Sequence, residues 1–123
     1  MTKEEAKAKI GQELINGFRE WLADHDTLTE DEFGRKYGWG KGTVKQTDSL
    51  KSLKVFMEYC FSGRYLPGWV NQGYPREIIW ELHHEGFLSY TNYSSYNARM
   101  RGQTEWYYIP QRTAREIYKT SRG

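Results

Sequence analysis

Histidine and cysteine are the side chains with which this chain could hold a metal ion or attack a substrate, and it has few of them. The sequence contains 3 histidines and 1 cysteine in 123 residues. His83 and His84 are adjacent, so on a helix their side chains diverge by ~100° and cannot share a metal as histidines four residues apart do. His25 lies in a polar stretch, and Cys60 lies in an apolar run that ends at Phe61, which is typical of a buried structural thiol. We therefore expect a protein that is not an enzyme, with no catalytic residues, metal ligands or cofactors.

Cationic side chains could instead bind a polyanion, and they occur in blocks. The formal net charge is +2, from 18 basic and 16 acidic residues. Residues 1–33 carry 4 basic and 9 acidic side chains, whereas residues 34–54 carry 6 and 1, and residues 87–123 carry 6 and 2. Such blocks can create one-sided potentials that attract nucleic acid or a complementary protein, although charge runs are more often ordinary solvated surfaces.

The composition excludes several classes of protein. A length of 123 residues fits one compact domain, and an aromatic content of 16% is too high for a disordered chain. No apolar run approaches the roughly 18 residues that a membrane span needs. A single cysteine excludes an internal disulfide framework. We expect a soluble cytoplasmic protein of one domain that does not bind membranes.

The first element that the pattern predicts is an amphipathic helix. Thr2 and Glu5 have the spacing of a capping box. Apolar residues then recur every three to four positions to about Ala23, and the polar residues 24–27 are expected to end the helix. Gly11 and Gly17 weaken the helix and indicate close packing against another helix.

Three more helices are expected before the chain changes character. A short second helix over 30–37 and a third over 48–61 show apolar residues on one side. A fourth runs from Pro75 to Glu85, because proline suits the first helical position, where its missing N–H is not needed. Gly86 suits the position after a helix, where a left-handed backbone is cheapest without a side chain.

After Gly86 the residue types favour strands. Residues 87–93 and 104–109 are rich in aromatic and β-favouring side chains, which predicts a two-stranded hairpin with a long basic tip over 94–103. A last short helix is expected over 113–119. The expected fold class is mainly α with a small C-terminal β-hairpin.

This order of elements, with two local motifs, resembles a winged helix-turn-helix. The motifs are Leu82-His83-His84-Glu85-Gly86-Phe87-Leu88 and Trp106-Tyr107-Tyr108-Ile109-Pro110. They are similar to the segments that close the recognition helix and flank the wing in MarR-like and PadR-like regulators. The resemblance covers residues 48–119 and leaves residues 1–47 as an N-terminal helical extension with a basic glycine-rich segment.

The resemblance implies binding to double-stranded DNA, with the helix over 75–85 in the major groove and the loop over 94–103 on the backbone. It also implies a transcriptional regulator. The expected DNA contacts are Arg76, Trp80 and His83 on the recognition helix, Arg99 and Arg101 on the wing, and Lys41 and Lys45 as phosphate contacts. These two lysines lie in a segment, 28–46, that resembles a second helix-turn-helix core; the alternative is a basic exposed linker.

One feature of the recognition helix opposes DNA binding. Glu77, Glu81 and Glu85 follow one another every four residues and form an acidic stripe, which would repel phosphate. Either the stripe faces away from DNA, or the fold binds protein. The alternative function is therefore a protein-interaction adaptor that uses the same fold, for instance an accessory or inhibitor protein encoded by a phage or mobile element. Aromatic side chains expected at the surface would serve it, and they are Trp39, Trp69, Tyr74, Tyr93 and Tyr96.

The flanking helices suggest a homodimer. The helices over 3–23 and 113–119 lie outside the motifs, and regulators of this kind pair through such helices, which also matches two half-sites to two recognition helices. The alternative is that the helix over 3–23 covers the core of its own chain.

Overall fold

The computed structural model describes residues 1–37, 52–61, 70, 73–91 and 106–122. These residues form a mainly helical protein with a small two-stranded antiparallel sheet near the C-terminus, as predicted. In chain order the elements are α1 (Lys3–Thr27), α2 (Glu30–Tyr37), α3 (Leu53–Phe61), α4 (Arg76–His84), β1 (Ser89–Thr91), β2 (Trp106–Tyr108) and α5 (Gln111–Arg122).

Helix α1 begins at the predicted capping box and runs one turn further than expected. The Glu5 N–H donates to the Thr2 hydroxyl, and the Thr2 N–H donates to the Glu5 carboxylate, each at 3.1 Å. The prediction of an end near Ala23 is wrong, because the helix continues to Thr27. His25 explains the extension: it is 8% exposed and packs against the rings of Trp21 and Phe33. The polar stretch therefore contributes to the core instead of ending the helix.

The core lies along the buried side of α1, against α3, α4 and α5. Its centre is a cluster of rings in which Phe18 meets Phe56 edge to face at 5.0 Å between centroids. Trp21 and Tyr59 extend this cluster, with 5.5 Å between their centroids. The apolar side of α1 is thus covered by the same chain, which is the alternative to a role for this side in a homodimer.

Two glycines of α1 lie where other helices approach, as predicted. The hydroxyl of Tyr59 on α3 occupies the position where a Cβ of residue 17 would stand. A Cβ at Gly11 would lie 3.7 Å from the side chain of Ile117 on α5, an ordinary van der Waals distance. Gly17 is therefore needed for close packing, whereas Gly11 leaves room for a methyl group.

Helix α2 has the bounds predicted for it and is held to α1 by a polar cluster. A second capping box joins Thr29 and Glu32. The Lys36 ammonium donates to Asp24 and to Glu20, each at 2.7 Å, and the Tyr37 hydroxyl also donates to Asp24. Hydrogen bonds from Lys36 and then Tyr37 lower the pKa of the Asp24 carboxyl below its ordinary value of 3.8.

Gly86 ends α4 as predicted, with a φ of +90°. The Phe87 N–H donates to the Leu82 carbonyl at 2.9 Å, and the Gly86 N–H donates to the His83 carbonyl at 3.1 Å. This pair of bonds is a Schellman motif, in which the left-handed residue satisfies the last carbonyls of the helix. Helix α5 binds the same turn, because Arg112 donates to the Gly86 carbonyl at 2.8 Å and Thr113 to the Phe87 carbonyl at 2.7 Å. The direction in which the hairpin leaves α4 is therefore fixed from two sides.

The predicted hairpin is present as an antiparallel pair. Tyr90 stands opposite Tyr107, with Ser89 opposite Tyr108. The Tyr107 carbonyl accepts from the Val70 N–H at 2.9 Å, so it points away from β1. Tyr90 and Tyr107 therefore form a non-hydrogen-bonded pair, in which opposite side chains come closest. The expected tip over 94–103 lies outside the described residues.

Helix α5 is longer than the predicted 113–119, since it begins at Gln111, directly after Pro110. Its buried side includes Ala114, Ile117 and Tyr118, which belong to the main core. The glycine-rich segment and the second part of the other helix-turn-helix resemblance, residues 38–46, lie outside the described ranges.

Candidate nucleic-acid interface

Three of the seven predicted contact residues lie on α4 and face the same side. Arg76, Trp80 and His83 follow one another at spacings of four and three residues, which places them on one side of a helix. Arg76 is exposed, Trp80 is 55% exposed and His83 is half-buried. The other four, Lys41, Lys45, Arg99 and Arg101, lie outside the described residues, so their roles stay predictions.

The exposed surface of α4 has two different sides. At ~100° per residue, Arg76, Trp80 and His84 lie within ~80° of one another. Glu77, Glu81 and Glu85 follow on the next ~80° of the helix surface. Ile79 and Leu82 occupy the opposite, buried side. The side with Arg76, Trp80 and His84 is called the ring-bearing side. The acidic stripe predicted from the sequence therefore lies next to the ring-bearing side and does not overlap it.

One end of the acidic stripe is paired with α1. The Glu85 carboxylate forms an ion pair with Lys3 at 2.8 Å and another with Lys7. Hydrogen bonds from Lys3 and then Lys7 lower the pKa of the Glu85 carboxyl below its ordinary value of 4.5. Glu81 also acts electrostatically on Lys3, in the direction that raises the pKa of this ammonium group. The stripe thus turns toward the N-terminal turns of α1, and part of its charge is offset there.

The other side of α4 carries ring side chains in two groups. The Trp80 and His84 rings are stacked, with 4.9 Å between centroids and 13° between planes. His83 instead turns to the hairpin, where its ring lies 5.5 Å from Tyr107 and 6.0 Å from Tyr90. The adjacent histidines therefore diverge, as their spacing predicts.

Tyr90, Tyr107 and His84 contact the predicted residues of α4 but were not themselves predicted from the sequence. Tyr90 is 39% exposed, and its ring lies 5.4 Å from that of Tyr107 across the strand pair. Their position beside α4 depends on the strand register, which places the two tyrosines opposite each other and next to His83. The aromatic runs over 87–93 and 104–109 were the signal for the two tyrosines in the sequence, but they do not say which tyrosine meets the helix.

Tyr74 was expected to be an exposed aromatic and is partly buried. Its hydroxyl donates to the Glu13 carboxylate at 3.0 Å, and the Lys9 ammonium lies 5.3 Å from its ring centroid. These contacts hold Tyr74 against α1. Trp39, Trp69, Tyr93 and Tyr96 lie outside the described residues.

Cys60, the one cysteine of the chain, is buried as predicted. Burial raises the pKa of its thiol to about 12, which keeps it protonated and unreactive at neutral pH. Within the described part of the chain, no three histidine, cysteine, aspartate or glutamate side chains are grouped as metal ligands would be. The helices in those same ranges include none that combines the length and the apolar character of a membrane span.

Comparisons of this chain with protein-family models, with curated proteins and with solved structures each find no significant match.

Proposed function

We propose that this protein binds DNA through α4 and the adjoining hairpin, as a winged-helix regulator does. The observation that supports this most is the division of the α4 surface. Glu85 is paired with Lys3 and Lys7 of α1, whereas helical spacing puts Arg76, Trp80 and His83 on a different side of α4. The His83 ring on that side lies beside Tyr90 of β1 and Tyr107 of β2. The acidic stripe can therefore face away from a nucleic acid while the ring-bearing side meets it.

Charge makes the wing important to this proposal. Phosphate attraction supplies much of the affinity of DNA-binding proteins, and α4 itself carries Arg76 together with the exposed Glu77 and Glu81. Further cations must come from elsewhere in the chain. Arg99 and Arg101 of the predicted tip are the first source, since residues 86–104 contain no acidic side chain. Lys41 and Lys45 are the second.

A salt titration tests the proposal directly. The affinity of the full chain for a random-sequence duplex is measured by fluorescence anisotropy at increasing salt concentration. A protein that makes phosphate contacts loses affinity along a straight line of log affinity against log salt. Arg76→Ala is expected to weaken binding, while the matched control Arg115→Ala, at an exposed position of α5, leaves it unchanged. Absence of binding at low salt would reject the proposal.

A second candidate function is binding to a protein partner through the same surface. The observation in its favour is the exposure of two large aromatic side chains, Trp80 on α4 and Tyr90 on β1. Exposed aromatic residues are enriched at the energetic centres of protein interfaces. This candidate predicts no salt-dependent DNA binding, so the titration separates the two.

A further inference from the structure

The ring-bearing side of α4 is centred on the Trp80 ring, which is covered by His84 on one face and is open on the other. The His84 imidazole lies against the Trp80 indole with their planes 13° apart. The indole is nevertheless 55% exposed, so its other face is open to solvent. Arg76 precedes Trp80 by one helical turn on the same side and is exposed. The helix thus presents a supported ring with a cation beside it.

Fully paired DNA offers little to such a ring. A helix in the major groove meets the edges of base pairs, which carry hydrogen-bond donors, acceptors and thymine methyl groups. The indole has a single N–H donor and otherwise presents its face. A ring face is matched by the face of an unpaired base, which stacks on aromatic side chains without regard to sequence. Extruding a base from a paired duplex costs about as much free energy as stacking that base on one aromatic ring contributes. Stacking on Trp80 would therefore add little to the affinity for fully paired DNA.

The charges of α4 point the same way. Glu77 and Glu81 are exposed within one turn of Trp80, and the chain as a whole has a net charge of +2. Phosphate attraction by this helix is therefore weak. If α4 contributes to the free energy of DNA binding, ring contacts must therefore supply more of that contribution than phosphate contacts do.

We infer that Trp80, supported by His84, is a stacking site for an unpaired base, and that the protein prefers a duplex containing unpaired bases to the same duplex fully paired. This inference rests on the proposed function and names the form of DNA that the site takes. The rings of His83, Tyr90 and Tyr107 form a second aromatic group, which joins α4 to the two strands.

The experiment compares two duplexes that share one labelled strand. In the first, a short run of thymidines in the middle of that strand is unpaired; in the second, the complement pairs with all of it. The full chain is expected to bind the first duplex at least about 5-fold more tightly, the smaller end of the effect of one stacked base. Trp80→Ala should reduce this ratio to about 1, and Trp80→Phe, which keeps a ring, should preserve most of it. Phe61→Ala is the matched control, because it removes a ring of α3 that is 37% exposed and should leave the ratio unchanged.

The outcomes separate this inference from the proposed function. A ratio near 1 in the unmodified protein, or a ratio that survives Trp80→Ala, would overturn the stacking site. Salt-dependent binding to the fully paired duplex in the same assay would then still support DNA binding. No binding to either duplex at low salt would overturn both.

Discussion

Gly17 and Gly11 are the same residue type on the same helix, yet they should respond oppositely to a methyl group. Alanine forms helices better than glycine by about 1 kcal/mol per residue, so Gly11→Ala is expected to leave stability unchanged or raise it. In Gly17→Ala the new Cβ meets the Tyr59 hydroxyl, and overpacking of this kind costs about 1–3 kcal/mol. Chemical denaturation of the two variants measures the difference. Equal stabilities would show that Tyr59 moves aside freely, whereas recovery in Gly17→Ala/Tyr59→Phe would locate the collision at the hydroxyl.

Asp24 should make the stability of the protein depend on acid. Because hydrogen bonds from Lys36 and Tyr37 lower its pKa in the folded state, Asp24 stabilises the fold above its ordinary value of 3.8. This contribution is lost as the pH falls through the lower folded pKa. Asp24→Asn should therefore be less stable than the unmodified protein at neutral pH, and the gap should narrow below pH 3.8. Denaturant titrations across this pH range measure the difference in stability between the two proteins. A difference that is independent of pH would contradict the role given to Asp24.

The side of α4 that carries Arg76, Trp80 and His83 could be predicted at the residue scale, because helical spacing alone brings them together. The pairing of Glu85 with Lys3 and Lys7 could not, since these residues are far apart in sequence and the periodicity of one helix does not say which other helix lies beside it. His25 was misjudged for the same reason. Its burial depends on Phe33 of α2, which the pattern of α1 does not contain.

At the scale of elements, the turn at Gly86 sets the angle between α4 and the hairpin. Its φ of +90° is unfavourable for a side chain, and a Cβ would stand 3.0 Å from the Arg112 guanidinium. Gly86→Ala is therefore expected to cost about 1–2 kcal/mol from the backbone, with an added cost from Arg112. Gly73→Ala is a matched control, because φ there is +87° and no described atom lies within 4 Å of the point that an added methyl group would occupy. Thermal unfolding of both variants separates the backbone cost from the cost of the collision with Arg112. Equal losses of stability in the two variants would show that the collision adds nothing.

Elements were predictable where one local signal decides them, and less so at their ends. The capping residues of α1 and the glycine after α4 gave correct positions, because each acts on backbone groups within a few residues. Helix α5 begins at Gln111 and not at the predicted Thr113. Its first turn is held by Arg112 and Thr113 reaching the turn at residues 86 and 87, a contact between segments that no local pattern reveals.

At the scale of the whole molecule, the distribution of cations predicts how DNA affinity responds to salt. Each phosphate contact adds about 0.9 to the slope of log affinity against log salt. Replacing both Arg99 and Arg101 by alanine should lower that slope by up to about 2 and weaken binding similarly for all sequences. An unchanged slope would mean that the predicted wing does not touch the backbone. It would also favour the protein-binding candidate.

The homodimer remains a prediction about the whole molecule. The apolar sides of α1 and α5 are covered within the chain, so pairing must use other surfaces of these helices. Light scattering at micromolar concentration tests this against the mass of one chain, 14.6 kDa. A mass of one chain would reject the dimer and leave the helices as parts of the core.

The contact between Gly11 and Ile117 has a consequence for how the chain folds. It joins the first and last of the described helices. The chain between the two residues must therefore form a very long loop before the contact can be made. Contacts of such high sequence separation form slowly, because chain entropy is lost before the contact returns any free energy. During synthesis on the ribosome, the apolar side of α1 emerges long before α5 can cover it. The part of this side that α5 covers therefore stays exposed until α5 has been made.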